Sequence, residues 1–275
     1  MAQIVAGFMM PHDPLIAAAP MAPPEEKRTN CMDGFARIAE RIRELNVDTV
    51  VVIGDDHYTL HGPGCVPQCM IGIGDVEGPI EPWVGIPRST IENNTALAEH
   101  IMQVGFDSGV DWAVSKTLML DHSGVIPIHY SVKPVGGVKS IPVYINSGIA
   151  PVISSKRAHQ IGEVIGKAVA SWGGDERVAI LGTGGISHWV GMAEMGRVNE
   201  EWDQKIISCV EQGDVQSLID ISDEEIVTEG GNGGLEIKNW ICAMGAMGAL
   251  KGELIAYEAV PEWVCGCGYM ELTAA

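Results

Sequence analysis

The sequence predicts an α/β fold in which a central sheet is covered by helices on both faces. Two observations predict it: short β-rich runs alternate with segments of helical spacing, and apolar residues make up 46% of the 275 residues against 19% charged. Strands that alternate with helices typically form such a sheet. The composition is that of an ordinary soluble globular protein, and neither a change of composition nor a linker marks a domain boundary.

Strands are predicted where apolar and β-branched residues run together between turn signals. Five runs have this character: Gln3–Met9, Thr49–Ile53, Ala113–Leu120, Ile141–Ile145 and Arg177–Leu181.

Helices are predicted where apolar residues recur at helical spacing. One early segment carries Phe35, Ile38, Ile42 and Leu45, and a later one carries Ile161, Val164, Ile165, Ala168 and Trp172. The tail of the chain is expected to be mainly helical, with one helix over Asn199–Gln212 and a long one after the glycine cluster "EGGNGG". We interpret Trp240–Met247 in that last helix as core rather than interface.

The stretch Cys65–Pro87 is rich in glycine and proline. It is therefore predicted to be an irregular loop that could wall a pocket. His61, Cys65 and Cys69 are spaced four apart, but the glycines and prolines between them prevent the helix that would align them. We interpret these three as unrelated loop residues.

The cysteines fit reduced thiols. There are seven of them, an odd number without a secretory signal, which favours a reducing compartment over a disulfide framework. Cys265-x-Cys267 lacks the second ligand pair that zinc sites usually have, so it too is interpreted as a pair of unrelated loop residues.

Charge excludes several classes of partner. Seventeen Lys and Arg against 36 Asp and Glu give a net charge of −19, a field that repels phosphate backbones and anionic membrane surfaces. The first residues lack a basic region followed by an apolar one, and no uninterrupted apolar run reaches membrane-spanning length. We therefore expect a cytoplasmic protein that binds neither nucleic acid nor membranes.

Four of the eight histidines fall just past the C-terminal end of a predicted strand: His12, His57, His122 and His188. Taken singly, each could be a satisfied loop or core histidine. In open α/β sheets, however, ligand crevices form at the carboxyl edge of the strands. The joint pattern therefore indicates one cavity at that edge.

Three further side chains are candidates beside this cavity. Asp55 and Asp56 precede His57 and could orient an imidazole through its second nitrogen, or simply form a solvated turn. His61 is a weaker candidate for the same crevice.

Glu236 lies in the first turn of the helix that follows the glycine cluster. One interpretation is structural, since the helix dipole favours an acidic side chain there. The other is functional: a carboxylate at a rigid helix start, beside glycines that permit close backbone approach, can be held accurately as a metal ligand.

Two neutral imidazoles and one carboxylate form a ligand set that leaves open positions on non-haem Fe(II). The same ligand types also hold catalytic zinc. Ligand types alone therefore leave open a dioxygenase and a zinc-dependent hydrolase.

At these residues the sequence resembles the class III extradiol ring-cleaving dioxygenases, the family of the catalytic β subunit of protocatechuate 4,5-dioxygenase. The resemblance runs along nearly the whole chain. It is carried by His12 after the first strand, "GDDHY" with His57, "LDHSGVIP" with His122, "GTGGISH" with His188 and "GGLEIKNW" with Glu236.

The resemblance implies a role for each of these five residues. His12, His57 and Glu236 would bind Fe(II), His188 would be an acid/base residue at the ring, and His122 would be a second polar group in the pocket. It also implies a single catalytic domain over residues 1–275 with a mixed central sheet, and thus a metal site at the C-terminal edge of the strands.

The implied reaction is Fe(II)-dependent extradiol cleavage of a catechol-type or ortho-aminophenol-type ring, with both atoms of O2 incorporated, in aromatic catabolism. The implied partners are the aromatic diol or aminophenol, O2 and further subunits in a homo- or hetero-oligomer. Some relatives carry a small α subunit, of which this chain contains no evident counterpart. The rival hypotheses are the zinc hydrolase and a non-catalytic relative that keeps the fold as a binding module.

Overall fold

Four parallel strands form the centre of the sheet in the computed structural model, which describes residues 1–275. These are β1 (Gln3–Met10), β2 (Thr49–Gly54), β6 (Lys139–Ile145) and β7 (Arg177–Thr183), arranged in the order β6-β2-β7-β1. β2 is buried at all six positions, because helices cover both faces of the sheet.

Antiparallel pairing extends this centre on both sides. On one side β3 (Cys69–Gly78) pairs antiparallel with β6. β3 in turn pairs antiparallel with the short strand β4 (Ser89–Ile91) and parallel with β5 (Ala113–Met119). On the other side β9 (Cys265–Ala274) pairs with β1, and β8 (Leu250–Val260) pairs with β9. The result is one nine-stranded mixed sheet, so the predicted fold class is confirmed.

The helices lie on the two faces of this sheet, over separate apolar cores. α2 packs in one core, which contains Phe35, and α5 and α9 pack in the other, which contains Trp240. The buried side chains of Trp240–Ala246 support their interpretation as core. The helices are α1 (Leu15–Ala18), α2 (Glu25–Glu44), α3 (Thr95–Asp107), α4 (His122–Pro127), α5 (Ser155–Ser171), α6 (Glu200–Gln212), α7 (Val215–Ile219), α8 (Asp223–Gly230) and α9 (Ile237–Met247).

The prediction of an irregular loop over Cys65–Pro87 is wrong in its central part, which is β3. The glycines there serve close packing inside the sheet rather than a turn. A Cβ at Gly74 would lie 2.1 Å from the carbonyl oxygen of Lys116 on β5, and one at Gly72 would lie 2.7 Å from the Pro142 ring on β6. Residues 65–68 before β3 and much of the segment after it are irregular, and Trp83 in the later segment does line a cavity.

The prediction of a mainly helical tail is also wrong beyond α9. Residues 250–274 form the antiparallel pair β8 and β9 at the sheet edge. Glycines in β9 again resemble turn residues in the sequence but serve close packing in the fold. A Cβ at Gly266 would lie 2.0 Å from a carboxylate oxygen of Asp203 on α6. Cys265 and Cys267 lie on this buried strand, not in a loop, and all seven thiols are free.

None of the helices is long and apolar enough to cross a membrane.

Candidate metal centre

The carboxyl ends of β1, β2 and β7 meet at one edge of the sheet, because these strands are parallel neighbours. His12 follows β1, His57 follows β2, and His188 follows β7. Glu236 is the last residue of a short 3-10 helix that leads into α9. The sequence-predicted residues from four separate segments are thereby brought together.

His12 presents one ring nitrogen with a free lone pair. The Thr183 hydroxyl donates to the carbonyl of Ile53 (3.0 Å), so it accepts a hydrogen bond from Nδ1 of His12 (3.0 Å). Nε2 of His12 is then unprotonated in the neutral ring. This atom is buried without a hydrogen-bond partner and lies 3.2 Å from Oε2 of Glu236.

His57, like His12, is held by a hydrogen bond from its Nδ1, in this case to a carboxylate. Its Nδ1–H donates to Oδ2 of Asp121 (3.0 Å), which leaves Nε2 3.1 Å from Oε1 of Glu236. A carboxylate can only accept at this position, so Nε2 carries the lone pair in the neutral ring. Two imidazoles and one carboxylate thus aim their acceptor atoms at one point.

Two glycines make room for this arrangement. Gly184 has φ +140°, and a Cβ there would lie 2.7 Å from Cβ of Glu236 and 2.8 Å from its Oε2. The Gly185 N–H donates to that Oε2 (3.0 Å). The "GTGG" sequence is therefore required so that the Glu236 side chain can pass beside the backbone after β7.

The buried charges at this point favour a cation. Burial would raise the pKa of Glu236, but His12 and His188 hold it well below its usual value. Burial would lower the pKa of His57, but Asp55, Asp121 and Glu236 together raise it well above its usual value. Without a metal ion the cluster retains a proton on an imidazole, since ionised carboxylates buried this deeply need a positive partner. A divalent cation can replace that proton.

His188 completes the group around Glu236. Its Nε2 lies 3.4 Å from Oε2 of Glu236, and its Nδ1 is buried without a hydrogen-bond partner. Burial would lower the pKa of His188, but the Glu236 carboxylate raises it. The ring is tightly enclosed, because a Cβ at Gly233 would lie 2.1 Å from it.

His122 also lies at the site, but not for the reason that its sequence position suggests. β5 runs antiparallel to β2, so its carboxyl end does not belong to the shared edge. Instead α4 crosses back over the ends of β2 and β7, where the Ser123 hydroxyl donates to the carbonyl of Asp55 (2.8 Å). The His122 ring comes within 4.1 Å of the His57 ring, centroid to centroid.

Glu81 holds His122 from the segment after β3. Its Oε1 accepts from the His122 ring Nδ1 (2.6 Å) and its Oε2 accepts from the His122 backbone N–H (2.8 Å). Nε2 of His122 is therefore an acceptor when the ring is neutral. Burial lowers the pKa of His122, and His57 lowers it further.

Of the three further candidates, Asp55 does not orient a second ring nitrogen, Asp56 forms a turn, which was the alternative interpretation, and His61 lies outside the cavity, as expected of an unrelated loop residue. The Asp55 oxygens lie 3.9 and 4.0 Å from the Nε2 atoms of His12 and His57, on the side where a metal would bind. Asp55 thus sits beside the ligand cluster and accepts from the Asn239 amide (3.0 Å), rather than orienting a second ring nitrogen. Asp56 accepts the backbone N–H groups of residues 59–61, and His61 lines a different small cavity.

Thr183, Asp121 and Glu81 were missed by sequence reasoning. Asp121 directly precedes His122, and that adjacency could have identified it as a partner for an imidazole. Thr183 is an ordinary strand residue, and Glu81 lies in the segment predicted to be irregular; no sequence signal marks either.

The cluster opens into a cavity of about 320 Å³. His12, His57, His122, His188 and Glu236 all line it, as the histidine pattern predicted. The rest of the lining is mainly apolar and includes Leu15, Trp83, Val190, Met195 and Val264. A flat aromatic molecule could therefore lie against these polar atoms with its ring in contact with apolar side chains.

Comparison with known proteins shows which proteins the chain is similar to. The family model of the catalytic LigB subunit of aromatic ring-opening dioxygenases matches residues 6–268. A 2,3-dihydroxyphenylpropionate/2,3-dihydroxicinnamic acid 1,2-dioxygenase from Photorhabdus laumondii is 24% identical over 302 residues, which cover 93% of each chain. The protein of the same name from Escherichia coli is 26% identical over 305 residues, which cover 94% of this chain and 95% of the relative.

A solved structure shares the fold. The crystal structure of the uncharacterized protein JW3007 from Escherichia coli K12 superposes with a TM-score of 0.60, covering 97% of this chain and 99% of that chain. At 10% identity this likeness concerns the fold alone.

Proposed function

The chain belongs to the LigB family of extradiol aromatic ring-opening dioxygenases, and from this premise we propose that it catalyses Fe(II)-dependent extradiol cleavage of a catechol-type or ortho-aminophenol-type ring. Both atoms of O2 would enter the product, in the catabolism of aromatic compounds. The observation that carries the proposal is the convergence of the His12 and His57 lone pairs on the Glu236 carboxylate at the base of a largely apolar cavity.

The donor set fits the proposed metal. His12, His57 and Glu236 would hold Fe(II) as a two-histidine, one-carboxylate site. A ferrous ion held there would supply adjacent coordination positions for a bidentate aromatic ligand and for O2, so that the reactants meet on one ion. The hydrogen bonds from His12 to Thr183 and from His57 to Asp121 fix each ring in the orientation that binding needs.

Two further histidines would handle protons. Nε2 of His122 is an acceptor at the cavity, because Glu81 holds the proton of this ring on Nδ1, and it can accept a proton or hydrogen bond from a substrate hydroxyl. His188 also lines the cavity; its Nε2 lies 3.4 Å from Oε2 of Glu236, and an imidazole can take up or release a proton near neutrality. We assign His188 as the acid/base residue and His122 as the second polar group.

The relatives narrow the substrate class. Their printed names give 2,3-dihydroxyphenylpropionate and 2,3-dihydroxicinnamic acid as substrates. Both are catechols with a substituent beside the diol. A catechol of this general type is accordingly the first substrate to test.

The proposal is tested by metal content and turnover after anaerobic loading. We expect ferrous iron to support formation of a yellow ring-opened product, and zinc to support none. His12→Ala, His57→Ala and Glu236→Ala should lose iron and activity, whereas His100→Ala on α3, far from the cluster in sequence and on another element, should keep both. Near-normal iron content in all three site variants would contradict the ligand assignment.

Assembly is part of the same proposal. Trp83, Val190 and Met195 line the cavity yet are 56%, 50% and 56% exposed, and exposed apolar residues grouped at a rim are often covered by a partner. We propose an oligomer, either of this chain alone or with a small α subunit. Light scattering of the active protein tests this, and an active monomer would contradict it.

A further inference from the structure

We propose that the ring substituent of the substrate is uncharged and apolar, and that a carboxylate at this position is selected against. This inference rests on the proposed function and adds the substrate class. It concerns the apolar wall of the cavity, defined by Leu15, Trp83, Val190, Met195 and Val264.

The apolar wall offers no cation to an anionic substituent. Neither lysine nor arginine lines the cavity. The two basic residues nearest to the lining in sequence are already engaged: the Lys238 ammonium lies 2.8 Å from a carboxylate oxygen of Asp223, and the Arg197 guanidinium lies 4.6 Å above the Trp189 ring. A carboxylate that enters the cavity would lose hydration without gaining an ion pair, which is unfavourable.

The remaining polar groups of the lining do not replace that cation. The indole N–H of Trp83 is a neutral donor. The imidazoles of His12, His57 and His188 lie against Glu236, and that of His122 is hydrogen-bonded to Glu81. Asp13, the only other ionisable side chain of the lining apart from the Cys265 thiol, is an acid whose Oδ1 accepts the Leu15 N–H (2.7 Å). A second carboxylate beside it would meet an acceptor rather than a donor.

Size and long-range charge agree with this selection. A cavity of about 320 Å³ is at the small end for ligand pockets, which suits a single ring with a short substituent in contact with the apolar wall. The net charge of −19 also disfavours the approach of anions, since a protein's field alters association rates according to sign. Alkyl, aryl and ester substituents are uncharged, so they need no ion pair in the cavity and this field does not repel them.

A matched set of substrates tests the proposal on the iron-loaded full chain. We would compare kcat/KM for catechol, 2,3-dihydroxyphenylpropionate and the methyl ester of the latter. The ester should exceed the acid by about 10- to 100-fold, the range for burying a polar group without a partner. Cleavage of the acid as efficient as that of the ester would overturn the inference.

The same set separates this inference from the proposed function. If neither these three compounds nor 2-aminophenol is cleaved by iron-loaded protein, the proposed function fails. If catechol is cleaved and the acid is preferred to the ester, only the selection against charge fails.

A charge placed on the apolar wall gives a second readout. Met195 is 56% exposed, so a polar side chain is tolerated there. Met195→Lys should raise kcat/KM for the acid relative to the ester by about tenfold, a typical value for a partly exposed ion pair with the substrate, whereas Met195→Gln should leave the ratio unchanged. An identical ratio in both variants would place the substituent away from this wall and overturn the proposal.

Discussion

Asp121 binds His57 twice through one carboxylate oxygen, which accepts the backbone N–H at 3.2 Å and the ring Nδ1–H at 3.0 Å. The second oxygen of Asp121 accepts from the Tyr144 hydroxyl (3.0 Å) and from the backbone N–H of Ser123 (3.1 Å). His57 holds the pKa of Asp121 well below its usual range despite burial. The charge on this carboxylate therefore sets both the orientation and the basicity of His57.

Asp121→Asn should weaken iron binding by roughly 10- to 100-fold, the usual effect of losing the partner of a metal-bound histidine. The amide oxygen can still accept the ring N–H, but the negative charge that makes Nε2 a better donor to metal is lost. Anaerobic titration against a competing chelator measures the change.

Tyr144→Phe is the matched control for this substitution. It removes one hydrogen bond to the same carboxylate and leaves the charge in place, so iron affinity should change little. If Asp121→Asn binds iron as tightly as the unmodified protein, Asp121 does not tune His57.

Glu81→Gln should reverse the tautomer of His122. The glutamine oxygen would accept the backbone N–H of His122, so its amide group would donate to Nδ1 and the ring proton would move to Nε2. His122 would then present a donor to the cavity instead of an acceptor. We expect kcat to fall by about 10- to 100-fold, the lower part of the range for a lost proton acceptor, while iron content is retained.

The shift of tautomer can be observed directly through the ¹⁵N chemical shifts of the His122 ring in metal-free protein. Glu99→Gln, an exposed residue of α3, serves as the control. An unchanged Nδ1–H tautomer in Glu81→Gln would show that Glu81 does not determine the ring state.

His188→Asn should retain iron and substrate binding but cleave the ring about 10²- to 10⁴-fold more slowly, the range for a lost acid/base group. A smaller side chain is the appropriate choice because Gly233 leaves no space for a larger one. Anaerobic substrate titration and steady-state turnover separate binding from chemistry. An unaltered kcat would remove His188 from the reaction.

The positions of His12, His57 and Glu236 were predictable because their signals are local. His12 and His57 each follow an apolar run, and parallel strands bring their carboxyl ends to one edge. Glu236 follows a glycine cluster and precedes a helix with clear apolar spacing. Strand ends and helix starts can be located without tertiary information, so the base of the site could be inferred from the sequence.

Glu81 and the strands β3 and β9 could not be inferred in this way, because their sequences give conflicting local signals. Gly72, Gly74 and Gly266 look like turn residues, yet each is required where a neighbouring chain approaches too closely for a Cβ. That requirement exists only in the folded sheet. Asp55 and Asp121 could not be told apart from the sequence for a similar reason. Both lie near His57, and only the path of α4 determines that Asp121 is the one that binds Nδ1 of His57.

We expect the buried carboxylate of Asp203 to lower the free energy of unfolding near neutral pH. The side chain is fully buried on α6 and accepts from the Tyr257 hydroxyl (2.7 Å). Burial raises the pKa of Asp203 to about 6. Because the folded pKa lies above the unfolded one, the stability linked to this group is complete below about pH 4 and is lost as the pH rises to about 6.

Asp203→Asn keeps the shape and the acceptor oxygen without the charge, so it should raise the free energy of unfolding by about 1–3 kcal/mol at pH 7 and by little at pH 4. Urea denaturation of metal-free protein at the two pH values measures the difference, with the exposed Asp175→Asn as a control that should change stability little at either pH. A loss of stability in Asp203→Asn at pH 7 would mean that the carboxylate is ionised and satisfied in the folded state, contrary to the burial argument.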